Sequence, residues 1–287
     1  MIENAKAFYT AAGQLSDSVG GVLCKISEET AADVTEIRLR ADRCITLTIL
    51  NEPVKLSIFT DKTDLEECFM ALCGYSYQQV EHCVADGFVP MKNGHRAGIC
   101  GTYYKTDDGA ARIKDITSIN IRVARTQLTK CPDELKQVLS EDGGVLICGA
   151  PGCGKTTLLR AASKYLSDKN KRVSVVDERF ELAPVMKNAL PDNCDVLSGY
   201  PKHIGMLHAI RTLSPDVILC DEIGGMEDAG AVAKAANAGV KIVASIHGSG
   251  KNVLSRPQTA ALIETGAFDC AVLIRPFGAV DEVIRLD

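Results

Sequence analysis

This 287-residue chain holds twelve cysteines but not one Cys-x-x-Cys pair, and no set of its five histidines has metal-ligand spacing. Several thiols end apolar runs, as in Val145-Leu-Ile-Cys148 and Val217-Ile-Leu-Cys220, so they read as small buried hydrophobes in a reducing cytosol. No apolar stretch approaches the ~18 residues of a membrane helix, and the opening Met1-Ile-Glu-Asn4 lacks the basic start of a secretory signal. The expected location is the cytoplasm, with contact to the inner face of the cell membrane only where a partner holds the chain there. Positive charge is in deficit: 32 Lys and Arg against 37 Asp and Glu give a net charge of -5, which disfavours a chain built mainly to coat nucleic acid or anionic lipid. Internal repeats and low-complexity tracts are also missing. What remains is ordinary globular composition, with 46% hydrophobic and 24% charged residues. The length exceeds one typical domain of ~100–200 residues and predicts two.

The first, 1–127, reads as a small α+β unit. After a helical opening, Thr35-Glu-Ile-Arg-Leu-Arg40 and Cys44-Ile-Thr-Leu-Thr-Ile-Leu50 alternate as strands and are followed by a turn at Asn51-Glu-Pro53. Helices are predicted over 64–72, ending at Gly74, and over 77–85. Short strands follow in 87–90, 95–104 and 116–123, with Asp107-Asp-Gly109 as a turn, completing an antiparallel sheet. The pattern changes near 128, where Cys131-Pro-Asp-Glu134 suits a helix start. In the second unit, 128–287, apolar runs at 145–148, 173–176, 217–220 and 242–246 have the look of strands buried on both faces, and helical spacing at 155–166, 204–213 and 227–238 supplies crossovers. Together they predict an α/β domain on a parallel sheet.

Between a predicted strand and a predicted helix stands Gly149-Ala150-Pro151-Gly152-Cys153-Gly154-Lys155-Thr156-Thr157, a match to Gly-x-x-x-x-Gly-Lys-Ser/Thr. Glycines let successive backbone N–H groups converge on one anion, and the following helix adds its positive end. In this reading Lys155 neutralises the β- and γ-phosphates of a bound nucleotide, the Thr156 hydroxyl ligates Mg²⁺ and Thr157 supports the α-phosphate. The loop reads phosphates and leaves adenine versus guanine open. The bland alternative is a glycine turn beside an exposed lysine.

Such a site also needs a carboxylate at the end of a buried strand, and Val217-Ile-Leu-Cys-Asp221-Glu222 supplies two. Asp221 is the metal-side candidate and Glu222 the general base. The competing reading makes the pair a helix cap before Gly224-Gly225. A second acidic segment, Asp177-Glu178-Arg179-Phe-Glu181, follows another buried strand, at the edge where open parallel sheets bind ligands. Asp177, Glu178 and Glu181 either orient water or metal, or form a surface cluster with Arg179. His247 closes a strand before Gly248-Ser-Gly250; it is either a γ-phosphate sensor or a satisfied strand-end histidine.

At these residues the sequence resembles the stage III sporulation protein AA family, within the secretion ATPases of type II and type IV systems and retraction pili. The likeness runs from Glu36-Ile-Arg-Leu-Arg40, Gly94-His-Arg-Ala-Gly98 and Ser118-Ile-Asn-Ile-Arg-Val-Ala-Arg125 to the phosphate loop, the acidic box at 176–181, the segment 209–224 and the histidine box at His247. Where many secretion ATPases carry Gly-Glu this chain carries Asp221-Glu222, so the metal role of Asp221 rests on general phosphate-loop logic. The resemblance implies ATP as the nucleotide and a RecA-like ATPase domain with a smaller amino-terminal α+β domain of regulatory, ring-forming character. It also implies a homo-hexamer that serves sporulation membrane-complex proteins during endospore formation. In a ring, one subunit's arginine reaches its neighbour's phosphate; Arg122 and Arg125 are the leading candidates, with Arg96 and Arg211 behind them. Two other readings stay open: a nucleic-acid-dependent ATPase, disfavoured by the net charge, and a nucleotide-binding scaffold with little turnover.

Overall fold

The computed structural model describes residues 2–107, 109, 111–124, 130–182, 191 and 193–286. The chain divides into two compact units, Met1–Thr126 and Gln127–Asp287.

The first unit runs α1 (Ile2–Ala12), α2 (Asp17–Leu23), α3 (Glu28–Asp33), β1 (Val34–Arg40), β2 (Arg43–Ile49), β3 (Glu52–Thr60), α4 (Lys62–Leu72), α5 (Tyr77–Ala85), β4 (Phe88–Pro90), β5 (Arg96–Lys105) and β6 (Ala111–Arg122). Its strands form one antiparallel sheet in the order β3-β2-β1-β6-β5-β4. Alternation in β1 turns Ile37 and Leu39 inward, where they join Phe8, Leu23, Ile45, Leu47, Ile119 and Ile121 in a core from which water is excluded. The turn expected at 51–53 is instead the pair Leu50 and Asn51, both left-handed (φ 50° and 69°), which lets Ile49 pair with Glu52. That is the geometry a two-residue hairpin loop requires. Pro53 then falls inside β3, which the sequence pattern misses; an edge strand accommodates a residue that cannot donate. Helix α4 begins two residues before its expected start because Asp61 caps it: its carboxylate accepts from Asp64 N at 2.9 Å while that of Asp64 accepts from Asp61 N at 3.0 Å. His95 is buried between strands, and its Nδ1 accepts from Ala124 N at 2.9 Å. Burial pushes its pKa down to about 4.

The second unit contains α6 (Asp133–Leu139), β7 (Gly144–Gly149), α7 (Lys155–Asp168), β8 (Val173–Asp177), β9 (Cys194–Ser198), α8 (Lys202–Thr212), β10 (Val217–Cys220), α9 (Met226–Asn237), β11 (Lys241–His247), α10 (Pro257–Ile263), β12 (Phe268–Ile274) and β13 (Val280–Arg285). Seven strands lie in the order β13-β12-β7-β11-β10-β8-β9. All neighbouring pairs are parallel except β12 with β13, so the expected parallel sheet carries one antiparallel edge strand. Val145 and Ile147 of β7 pack with Leu158 and Leu159 of α7 on one face, whereas Leu146 and Cys148 share the other with Met206, Ala231 and Val232 from α8 and α9. Helices therefore cover both faces, which is why these strands read as unbroken apolar runs. The parallel order brings the ends of β7, β8, β10 and β11 to one edge, with His247 directly opposite Gly149.

Candidate functional site

At that edge, the loop leaving β7 folds as its glycines demand. Gly152 and Gly154 are left-handed, with φ of 73° and 107°. A Cβ on Gly149 would lie 2.4 Å from Cys153 Sγ and 2.6 Å from Ile274 Cγ1. The nine residues from Gly149 to Thr157 thus form a tight cradle that ends in the first turn of α7.

Lys155 is buried, 5% exposed, and curls back into the cradle. Its ammonium donates to the carbonyls of Gly149 and Ala150, both at 3.0 Å, and meets His247 Nδ1 at 2.9 Å. An ammonium has no lone pair, so the imidazole nitrogen must accept there and the ring proton sits on Nε2. Nε2 faces Glu222 Oε1 at 2.6 Å, and the other carboxylate oxygen accepts from Arg179 at 2.5 Å. A continuous polar chain therefore runs Lys155, His247, Glu222, Arg179.

The Thr156 hydroxyl donates to Asp221 Oδ2 at 2.6 Å. The other oxygen of Asp221 accepts from the hydroxyl of Ser245, which also receives the Glu222 backbone N–H at 3.0 Å. Glu222 is itself left-handed, at φ 53°, a costly conformation for a residue with a Cβ and one that concentrates at functional sites. The cap reading of Asp221 and Glu222 fails, because Asp228 does that work: its Oδ2 accepts from Gly224 N and Gly225 N, each at 3.1 Å. Both strand-end carboxylates are left facing the cradle.

The acidic segment after β8 lies at the same edge but is differently engaged. Asp177, 2% exposed, braces its own turn by accepting from Glu181 N at 2.9 Å and Leu182 N at 3.1 Å. Glu178 pairs with Lys202 at 2.5 Å. Arg179 turns away from these acids to Glu222, so the surface cluster considered from the sequence does not form. The carbonyl of Glu181 accepts from Arg160 at 2.6 Å. Burial pushes the Arg160 guanidinium below its ordinary pKa, while Asp221, Asp177 and Glu181 oppose that fall.

Sequence reasoning passes over Arg160, Lys202 and Ser245. Arg160 stands one helical turn after Thr156, and Ser245 is a fully buried hydroxyl among the apolar residues 242–246 of its strand; both signals were legible. Arg211 is exposed on α8. In the first unit, Arg122 ends β6 exposed and Arg96 stacks over Phe88 at 3.8 Å. Arg125 lies outside the described residues. A cavity of about 920 Å³ opens at the opposite edge of the second sheet, where Arg172 pairs with Asp216; it is remote from the cradle and holds none of the candidate residues. Among the described residues no three His, Cys, Asp or Glu side chains cluster to hold a metal ion, and no helix is long and apolar enough to cross a membrane.

Residues 12–284 match the family described as sporulation stage III, protein AA. The chain belongs to that family. Stage III sporulation protein AA of Bacillus subtilis (strain 168) is 34% identical over 266 residues, spanning 89% of this chain and 87% of that protein. Among solved structures, the pilus retraction motor PilT with bound ADP matches this chain with a TM-score of 0.64 at 14% identity, covering 91% of this chain and 82% of that one. The ATPase DotB of Legionella pneumophila gives a TM-score of 0.58 at 18% identity, covering 84% and 71%. At those identities the likeness shows the fold alone: the chain has the RecA-like α/β architecture expected from its sequence.

Proposed function

We propose that the chain binds ATP with Mg²⁺ at Gly149–Thr157 and hydrolyses it, as a homo-hexameric motor serving a membrane-channel complex during endospore formation. The observation that carries this reading is the convergence of Lys155, Thr156, Asp221, Glu222 and His247 on one cradle. Backbone N–H groups of the loop and the positive end of α7 receive the phosphates. Lys155 then leaves the Gly149 and Ala150 carbonyls for the β- and γ-phosphates. Thr156 and Asp221 are hard oxygen donors already within 2.6 Å of each other, the chemistry Mg²⁺ prefers, and they would hold it. Mg²⁺ held there would supply charge neutralisation for the phosphates.

Glu222 accepts a proton from water as the water oxygen bonds to the γ-phosphorus and the bond to the ADP oxygen breaks. His247 orients that carboxylate through Nε2–H and is assigned the γ-phosphate-sensing role at the same edge. Glu178 and Glu181 act as positioning residues at the same edge. Arg122 and Arg125 are assigned to the neighbouring copy's phosphate, and the first unit is assigned the ring-forming role. The sporulation relative supports the cellular setting, and PilT and DotB, named as a motor and an ATPase, support the chemistry. The test is binding, hydrolysis and mass of the purified chain with and without ATP and Mg²⁺. Lys155→Ala is expected to abolish binding, and Glu222→Gln to bind without turnover. Equal activity in the parent and both variants overturns the assignment.

A further inference from the structure

We propose that Phe277 is a platform on which the base of the bound nucleotide stacks. The inference rests on the nucleotide reading above and extends it from the phosphates to the nucleoside.

Phe277 lies in the loop between β12 and β13 and is 96% exposed. A single exposed apolar side chain is ordinary; this one is also left-handed, at φ 66°, which is unfavourable for a bulky residue and so has to be held by the surrounding loop. The loop has little freedom. Arg275 N donates to Ala279 O at 2.9 Å, and the Arg275 guanidinium forks onto Asp281. Gly278 N donates to the carbonyl of Cys153 at 2.7 Å, which ties the loop to the phosphate cradle. A Cβ on Gly154 would come within 2.9 Å of Gly278 N and 3.4 Å of the Phe277 carbonyl carbon. The ring is thus presented to solvent from a rigid loop seated against the cradle.

Sheet order fixes the direction in which a ligand must lie. The groups assigned to the γ-phosphate, Glu222 and His247, end β10 and β11, and the cradle ends β7. Continuing across the sheet in the same sense, the next strand is β12, whose end carries Phe277. From β10 to β12 is three strand spacings, about 14 Å at ~4.8 Å each, a span suited to an extended nucleoside triphosphate and too long for its phosphates alone. A nucleotide with its γ-phosphate at Glu222 therefore directs its base toward the Phe277 ring. Stacking of this kind accepts any base, so the residue distinguishes a nucleotide from a bare polyphosphate without choosing adenine over guanine.

The test measures equilibrium binding of ATP and of inorganic tripolyphosphate, each with Mg²⁺, to the full chain and three variants. Phe277→Asn keeps a residue type that tolerates the left-handed backbone. It is expected to weaken ATP about 5- to 150-fold, the loss of one base stack, and to leave tripolyphosphate unchanged. Phe277→Tyr is expected to match the parent, and Lys155→Ala to lose both ligands. If Phe277→Asn binds ATP as tightly as the parent, or weakens both ligands alike, the platform is refuted while the phosphate site stands. A parent chain that binds neither ligand refutes the nucleotide reading, and the platform with it.

Discussion

Replacing Glu222 by Gln removes the proton acceptor while changing neither size nor backbone preference, so the left-handed φ of 53° is as costly in the variant as in the parent. The side chain is only 18% exposed and is gripped by His247 and Arg179. An amide keeps one oxygen to accept from one partner and turns its NH₂ group, a donor, toward the other donor. Arg179 is half exposed, so solvent screening limits the loss of folding stability to about 1 kcal/mol. The chemical step should suffer far more. Losing a general base slows turnover by about 10²–10⁴-fold, equivalent to ~3–5 kcal/mol in the barrier. Affinity for ATP should hold or rise, because one negative charge beside the γ-phosphate is gone. Rapid-quench single-turnover hydrolysis with Mg²⁺, set beside equilibrium binding, separates the two effects. A rate constant within about threefold of the parent's, with binding intact, would refute the base assignment. A Glu178→Gln control, which disrupts only the pair with Lys202, should fall less.

Asp228→Ala deprives Gly224 N and Gly225 N of their shared acceptor at the start of α9, and urea unfolding should show a loss of about 1–2 kcal/mol. The buried His95 stays neutral in the folded first unit down to about pH 4, whereas the unfolded chain takes up its proton near 6.5. Its contribution to stability is therefore complete above 6.5 and fades as pH falls toward 4, by on the order of 3 kcal/mol. His95→Gln should flatten the unfolding profile between those pH values; a profile as steep as the parent's would contradict the burial argument.

Much of this was legible in the residues. The Gly149–Thr157 motif announced itself because its glycines, lysine and threonine must be contiguous, and the apolar runs at β7, β8, β10 and β11 gave the parallel core because burial on both faces suppresses alternation. What escaped had weaker local signals. β9 is short and only partly buried, β3 opens with charge and proline, and β12 and β13 follow the last motif that spacing could identify. At the site, the sequence places Asp221 and Glu222 at a strand end and favours a catalytic pair over a helix cap; the residue that accepts the N–H groups ahead of the helix is Asp228, four residues beyond Gly224, a partner that spacing alone does not single out. Arg179 was read with its sequence neighbours, and its partner Glu222 lies 43 residues away, brought close by the adjacency of β8 and β10.

The Lys155 ammonium has three protons, and the two loop carbonyls and the imidazole engage all of them. An arriving anion consequently exchanges with existing partners instead of meeting idle donors, and the observed affinity is the difference between two well-satisfied networks. A single phosphate offers little beyond what the lysine already has. A longer chain of phosphates reaches the lysine and the helix end together, so occupancy should climb with phosphate number, and release should follow once hydrolysis has shortened the chain.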